Sequence, residues 1–479
     1  MTNSFVFYDL ETFGQDPRRT RIAQFAALRT DLDLECIEPA EHFFIQPAQD
    51  LLPAPRASVI TGITPQHALR EGINEASAFD RIARIFAKTG TCALGYNSLR
   101  FDDEFIRFGL YRNFHDPYAR EWQNGNSRWD ILDLMRLMYA LRPNGIQWPS
   151  RTDGSPSFRL EDLAMANAVR DGQAHEALSD VKATIGLARC VRHNQPKLWQ
   201  YALRLRDRRY CAQLLDTRSD RPVLHISHRY PANRCCAAAI LPIAQHPSIS
   251  NRMIVCDLSS DTSALLDLSI AQIHDCLFTP RADLPADAAV LGLKQIHLTK
   301  SPALVRWQHL RHADFDRLQL NSSQVVKQAK QLRCHQILLH EKLQRVFAQS
   351  PPPSSSDADA ALYEGFVCAH DRALLPLIRQ SPAKDLDTFA TQLHDPRMKT
   401  LLLRYRARNW PDTLTSIDAD RWDAYRRNRL SENSGLSEFT FSQYAAEIEY
   451  LRGQTGMDGA THTLLDQLTA WGISLQHGL

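Results

Sequence analysis

Apolar and polar positions along this chain change their period several times, and each change marks an element. Phe5-Val6-Phe7-Tyr8 run directly into Asp9-Leu10-Glu11-Thr12-Phe13. A short apolar run that turns into alternation reads as a strand leaving the core at its C-terminal end. Successive strand side chains point to opposite faces, so Asp9 and Glu11 share one face, Tyr8 and Leu10 the other. Residues 24–30 and 43–45 read as partner strands, with Asp31 and Asp33 at a hairpin turn. Thr64-Pro65 reads as a helix start, threonine as the N-cap and proline at the first helical position. A helix over 79–88, a buried strand over 92–97, a helix entrance at Phe101-Asp102-Asp103-Glu104 and an amphipathic helix over 130–141 follow.

Residues 154–160 read as a loop into a helix, with Ser157 as its cap and Arg159 in the first turn. A cation there opposes the helix dipole and calls for an anion, which a bound phosphate, Glu161 or Asp162 would supply. The next helix has Leu178, Val181, Ile185 and Ala188 at helical spacing behind His175-Glu176-Ala177. Beyond residue 195 four short β-type runs, 223–226, 237–243, 253–256 and 289–293, predict a small barrel or sandwich. Residues 311–345 are helical and basic, Pro351-Pro352-Pro353-Ser354-Ser355-Ser356 is a linker, and everything after Asp357 is helical. The divisions expected are therefore 1–194, 195–350, the linker 351–356, and 357–479.

Composition narrows the class. A chain of 479 residues exceeds one core, and 44% hydrophobic with 23% charged residues describes a soluble globular protein. The start, Met1-Thr2-Asn3-Ser4, has no basic or apolar signal region, and no run approaches the roughly 20 apolar residues that span a bilayer. A cytoplasmic protein without a membrane role is expected. Ten scattered cysteines without a Cys-x-x-Cys pair favour reduced thiols over zinc spacing or a disulfide framework. The net charge of +2 means that any nucleic-acid binding must come from local patches.

Chemistry enters with the acids. Asp9 and Glu11 on one strand face either meet water or share a cation such as the paired divalent ions of phosphodiester-cleaving enzymes. Asp102 either complements a helix dipole or, lying just past a strand's C-terminal end, faces a ligand. Five helical residues turn about 140° beyond one revolution. His175 and Asp180 can therefore serve one site only if His175 lies on the preceding loop. Tyr118, Trp122, Arg128 and Trp129 interleave aromatic and basic residues, which suits either base stacking with phosphate contact or a core. Lys294, His297 and Lys300 on or near the last β-run either meet phosphates or are solvated. The basic runs 397–408 and 426–429 suggest a single-strand track on the appended helices.

The set Tyr8-Asp9-Leu10-Glu11-Thr12, Gly95-Tyr96-Asn97 with Phe101-Asp102, and His175 five before Asp180 resembles the histidine-bearing branch of the DEDD exonuclease superfamily. Asp9 to Gly14, Gly62 to Gln66, Gly95 to Glu104, Asn126 to Asp130 and Tyr405 to Asn409 resemble the bacterial exonuclease I family across nearly the whole chain. Glu176 after the histidine is a departure; the five catalytic positions show none.

The resemblance implies an α/β fold: a ribonuclease-H-like, mixed-sheet exonuclease domain, then a small β-barrel-like domain and a C-terminal helical domain. It implies a 3′→5′ exodeoxyribonuclease that degrades single-stranded DNA to nucleoside 5′-monophosphates, with a role in DNA repair and recombination. Asp9, Glu11, Asp102 and Asp180 would hold two Mg2+ ions, with Mn2+ a plausible substitute, and His175 would be the general base; an imidazole titrates near about 6.5. Glu11, Thr12, Phe13, Arg107, Tyr118, Trp122, Arg128, Arg136, Arg159 and Arg208 are the expected contacts to a strand with a 3′ end. The resemblance also implies a partner, the acidic tail of single-stranded-DNA-binding protein, for which Arg142, Tyr201, Arg311 and Arg317 are candidates. The chain is expected to act as a monomer. Two other readings remain: an exoribonuclease or proofreading exonuclease with the same residues, and a catalytically inactive single-strand binder.

Overall fold

The computed structural model describes residues 2–479 except 171, 173, 174, 260, 261, 349–356, 432, 433 and 455–457. The expected linker at 351–356 lies outside the described residues. The chain forms two compact units. The first comprises Met1–Ser127, Arg170–Ala183 and Pro353–Leu479; the second, Arg128–Val169 and Thr184–Pro352.

A mixed five-stranded sheet organises the first unit: β1 (Ser4–Thr12), β2 (Ile22–Thr30), β3 (Glu41–Phe44), β4 (Thr91–Gly95) and, where the chain leaves the unit, β5 (Ser127–Asp130). Their order is β3-β2-β1-β4-β5, antiparallel for β3-β2-β1 and parallel for β1-β4. Val6, Tyr8 and Leu10 bury one face of β1 against Phe79, Ile82 and Phe86 of the helix Glu75–Ala87. Phe5, Phe7, Asp9 and Glu11 take the other face, as the alternation requires. That helix begins at Glu75, four residues before the expected start, because Asn74 caps it by accepting from the Ser77 amide. Thr64 and Pro65 are the N-cap and first residue of the helix Pro65–Glu71.

The C-terminal helices belong to the same unit and share its cores. Leu362, Leu374, Leu375, Leu401 and Tyr405 pack with Phe108, Tyr111 and Phe114; Leu430, Ile448, Leu465 and Trp471 pack with Leu52. The basic runs expected to form a single-strand track are instead largely interior. Arg404 binds Asp357 (2.8 Å) and Asp359 (2.9 Å), Arg408 binds Asp50 (2.8 Å) and Asp359 (2.6 Å), and Arg429 lies 3.5 Å from Asp50. Arg406 pairs with Asp418 at 2.9 Å. Arg404, Arg408 and Arg429 are matched by aspartates that lie far away in sequence, which a local charge count cannot see.

The second unit carries a five-stranded antiparallel sheet of β6 (Val223–Ile226), β7 (Ala237–Gln245), β8 (Arg252–Asp257), β9 (Leu293–His297) and β10 (Ala303–Arg306), ordered β10-β6-β7-β8-β9. The run expected at 289–293 is displaced. Val290 is exposed, and pairing with β8 begins only at Leu293, opposite Cys256. The last strand is β10, so Lys294 and His297 lie on the strand before it. Lys294 donates to the Arg229 carbonyl (3.0 Å) and sits 4.0 Å from the Tyr230 ring centroid.

All ten cysteines are free thiols. Among the described residues no helix is long and apolar enough to cross a membrane.

Candidate active site

The parallel pairing of β1 with β4 puts their C-terminal ends side by side, where α/β sheets place ligands. Close approach there requires Gly95, since a Cβ on it would stand 2.6 Å from the Tyr8 carbonyl oxygen. The chain then turns through Asn97, at φ 66°, into the helix Asp102–Arg112. Three adjacent acids open this helix, and the two buried ones, Asp102 and Asp103, have different fates. Asp103 accepts from the Tyr8 hydroxyl (2.5 Å) and from Arg120, which ties the helix to β1. Asp102 contributes the largest like-charge repulsion on Asp9.

Asp9 is the one residue of β1 that is only half-buried; Glu11 is buried. Burial pushes the Asp9 carboxyl well up, and Asp102, Asp180 and Glu176 push it further against the opposing pull of Arg170. Burial likewise pushes Glu11 up to about 9, reinforced by Asp9, Asp180 and Glu176. Burial raises Asp180 too, while Arg170 and His175 oppose the shift. Carboxylates raised by burial and by one another are a site short of positive charge.

His175 lies in the turn just before the helix Ala177–Asn194, exposed, at φ 61°. Placing it ahead of the helix is what brings it beside Asp180. Ligand atoms of Glu11, His175 and Asp180 all lie within 4.8 Å of one another. Thus all five expected catalytic residues belong to the first unit and converge at the end of β1.

Two neighbours were not anticipated. Arg170 places its guanidinium 2.9 Å from Asp180, a cation on the acid cluster itself. Glu176 caps the helix, accepting from the Leu178 (3.3 Å) and Ser179 (2.8 Å) amides, while adding negative field on Asp9 and Glu11. An acid three residues before Ser179 at a helix start signals a cap; nothing local signals Arg170.

The expected strand contacts divide. Thr12 is buried and donates to the Gly14 carbonyl (2.6 Å), and the Phe13 ring, 1% exposed, is core with Ala23, Leu51 and Ile63 rather than open to a terminal nucleotide. Arg107 is held at both ends of its fork by Glu121 (2.7 and 2.9 Å) and also by Glu104 and the Tyr363 hydroxyl. Its guanidinium lies 5.5 Å from the half-buried Tyr118 ring, whereas Trp122 is 65% exposed.

In the second unit Arg128 is buried and donates to the Thr299 carbonyl (3.4 Å), and Arg136 pairs with Asp133 (3.0 Å). Arg159 is the N-cap residue of the helix Leu160–Ala166, not part of its first turn, and Glu161 at 3.1 Å supplies the anion its position demands. Ser157 is not the cap; its hydroxyl donates to Asp162. Arg208 is exposed at the first position of the helix Arg208–Leu214. Arg142 and Arg311 converge on Asp314 (3.0 and 3.1 Å), and Arg317 donates to the Tyr139 carbonyl (2.8 Å). The Tyr201 hydroxyl donates to the Leu304 carbonyl (2.8 Å).

Three family models match in tandem: an exonuclease model at residues 6–188, the exonuclease I SH3-like domain at 206–349, and the exonuclease I C-terminal domain at 356–475. The chain is 42% identical to exodeoxyribonuclease I of Escherichia coli K12 over 467 residues, 97% of each chain. A moderately thermophilic exonuclease I from Methylocaldum szegediense superposes with a TM-score of 0.94 at 42% identity, covering 99% of both chains. E. coli exonuclease I in complex with a dA16 oligonucleotide superposes with a TM-score of 0.93 at 40% identity, covering 99% of this chain and all of that one. On the acid cluster, the tandem domain matches and identity along almost its full length, the chain belongs to the exonuclease I family.

Proposed function

We propose that the chain is a metal-dependent 3′→5′ exodeoxyribonuclease that degrades single-stranded DNA to nucleoside 5′-monophosphates. The carrying observation is the convergence of Glu11, His175 and Asp180 ligand atoms within 4.8 Å, beside an Asp9 that burial, Asp102 and Asp180 push up. Hard oxygen donors without a thiol fit Mg2+, with Mn2+ as a substitute, better than a thiophilic metal. Asp9, Glu11, Asp102 and Asp180 would hold two ions. When bound, such ions acidify a water and stabilise the departing 3′ oxygen.

The protein's own groups do the rest. His175, exposed on its turn, accepts the proton of the attacking water. Arg170 offsets the acid repulsion at Asp180, a carboxylate that would be a metal ligand. Tyr8 and Arg120 hold Asp103 and thereby the helix that aims Asp102. Trp122 offers an exposed ring for base stacking.

E. coli exonuclease I is also known as a zinc-bound complex with single-stranded DNA, and a similar exonuclease I structure is described as SSB/exonuclease I in complex with an inhibitor. By extension, the cluster around Asp314 with Arg142, Arg311 and Arg317 would receive the acidic tail of a single-stranded-DNA-binding protein. A cytoplasmic monomer working in DNA repair and recombination fits this reading.

The test is digestion of end-labelled single-stranded DNA, duplex DNA and single-stranded RNA, with Mg2+ or with EDTA, and identification of products. Mononucleotides released from the 3′ end of single-stranded DNA only with Mg2+ are expected. Equal or faster loss of RNA would move the chain to the exoribonuclease reading, and binding without digestion to the inactive one.

A further inference from the structure

A second cluster of metal-binding side chains lies far along the sequence from the acids, at the start of the helix Ala369–Gln380. Cys368 is its N-cap, with Sγ accepting from the Asp371 amide at 3.5 Å. Asp371, three residues on, faces the same side of the helix start and is fully buried. Its carboxylate accepts from the His394 amide (2.9 and 3.1 Å) and the Asp395 amide (2.8 Å). It therefore staples this helix to the start of the next, Pro396–Asn409. His394 brings an imidazole to the same point. One ligand atom from each of Cys368, Asp371 and His394 lies within 4.8 Å of the other two.

We infer that Cys368, Asp371 and His394 form a further metal site, taking a thiophilic divalent cation of the zinc class. A thiolate and an imidazole select such a cation over Mg2+, the opposite preference to the carboxylate cluster. Zn–S near about 2.3 Å and Zn–N near about 2.0 Å put tetrahedral ligand atoms roughly 3.5 Å apart. Reaching that from 4.8 Å takes a shift of about 1 Å, within the freedom of two exposed side chains, Cys368 and His394. The buried Asp371 need not move, and a carboxylate that accepts from two amides, one of them shared between its oxygens, still has a lone pair to give. Those amide bonds orient it, as carboxylate ligands are oriented in metal sites. Three protein ligands leave the fourth tetrahedral position to water.

His370 is a positioning residue here. Its ring stacks on His394 with centroids 4.1 Å apart and planes 9° apart, and its Nε2 stands 3.0 Å from the Gln392 carbonyl oxygen. Two parallel stacked imidazoles cannot both aim an in-plane lone pair at one ion. His394 has the ligand geometry, and His370 fixes its plane.

The test is titration of the full chain with Co2+, with excess Mg2+ present to occupy the carboxylate cluster. A thiolate-to-cobalt charge-transfer band in the near ultraviolet should rise to saturation at one equivalent and collapse on adding Zn2+. Cys368→Ser should abolish the band while leaving the fold and the nuclease rate unchanged, because serine is itself a favoured N-cap. His394→Ala should abolish or weaken it. Zn2+ should raise the melting temperature of the wild type and not of Cys368→Ser. A band that survives in Cys368→Ser, that grows without saturating, or that never appears overturns the site.

Discussion

The buried ionic core of the first unit allows a quantitative test through Asp359→Asn. Asp359 is fully buried and accepts from Arg404 (2.9 Å), Arg408 (2.6 Å) and the Tyr425 hydroxyl (2.9 Å), with Arg21 at 3.8 Å. Burial alone would raise its carboxyl, yet Arg408 and Arg404 overcome that and hold it well below the usual range. The asparagine keeps the shape and removes the charge. Asp50, Asp357 and Glu75, the last 3.7 Å from Arg21, are then left to balance Arg21, Arg404, Arg408 and Arg429. Removing one partner from a buried ion pair costs about 3–5 kcal/mol, because the other charges stay desolvated. Urea unfolding followed by tryptophan fluorescence reads the loss, since Trp422 lies 5.7 Å from the Arg408 guanidinium. Adding Arg408→Met should recover part of it, at least about 1 kcal/mol of coupling in a double-mutant cycle.

The same difference should depend on pH in a defined direction. Arginines also outweigh burial at Asp50 and hold it far below its ordinary value. Carboxyls depressed in the folded state contribute stability that is full above the unfolded value, about 3.9, and lost as pH falls toward the folded one. The gap between wild type and Asp359→Asn should therefore be full at pH 6 and narrow below about pH 4. An unfolding midpoint equal to that of the wild type at pH 6, or additivity with Arg408→Met, would refute the reasoning.

Three further outcomes are expected. His175→Ala should slow turnover by a factor of about 10²–10⁴ while Mn2+ binding and retention of single-stranded DNA persist; an unchanged rate removes the general base. Arg170→Ala should lower the Mg2+ concentration for half-maximal activity, because a competing cation is gone from Asp180, and a raised requirement would make Arg170 a support of the metals instead. Arg317→Glu should weaken stimulation by a peptide of the single-stranded-DNA-binding protein's acidic tail while hydrolysis of bare DNA holds; equal stimulation takes Arg317 off that surface.

What the sequence made legible was the part that local chemistry specifies. Strand alternation placed Asp9 and Glu11 on one face, and helical geometry placed His175 on a turn before its helix, where it lies. Thr64-Pro65 marked a helix start because cap and proline act within one turn. What escaped depends on partners distant in sequence. Asp102 and Asp103 look alike as neighbours, and Tyr8 and Arg120, brought in by the fold, turn Asp103 into a support, while Asp102 bears on Asp9. The arginines after residue 397 looked like a surface for phosphates until Asp50, Asp357 and Asp359 met them inside the protein. The strand expected at 289–293 failed for a related reason: apolar composition suggested it, but pairing with β8 decided its start.

The central claim is that Asp9, Glu11, Asp102 and Asp180 grip a pair of divalent ions beneath His175. Anomalous scattering from crystals of the wild-type chain soaked in Mn2+ tests it directly. The account predicts two peaks roughly 3.5–4 Å apart, ligated by these four carboxylates, with Arg170 displaced from Asp180. Mn2+ bound elsewhere, or no peak among these acids, would contradict it.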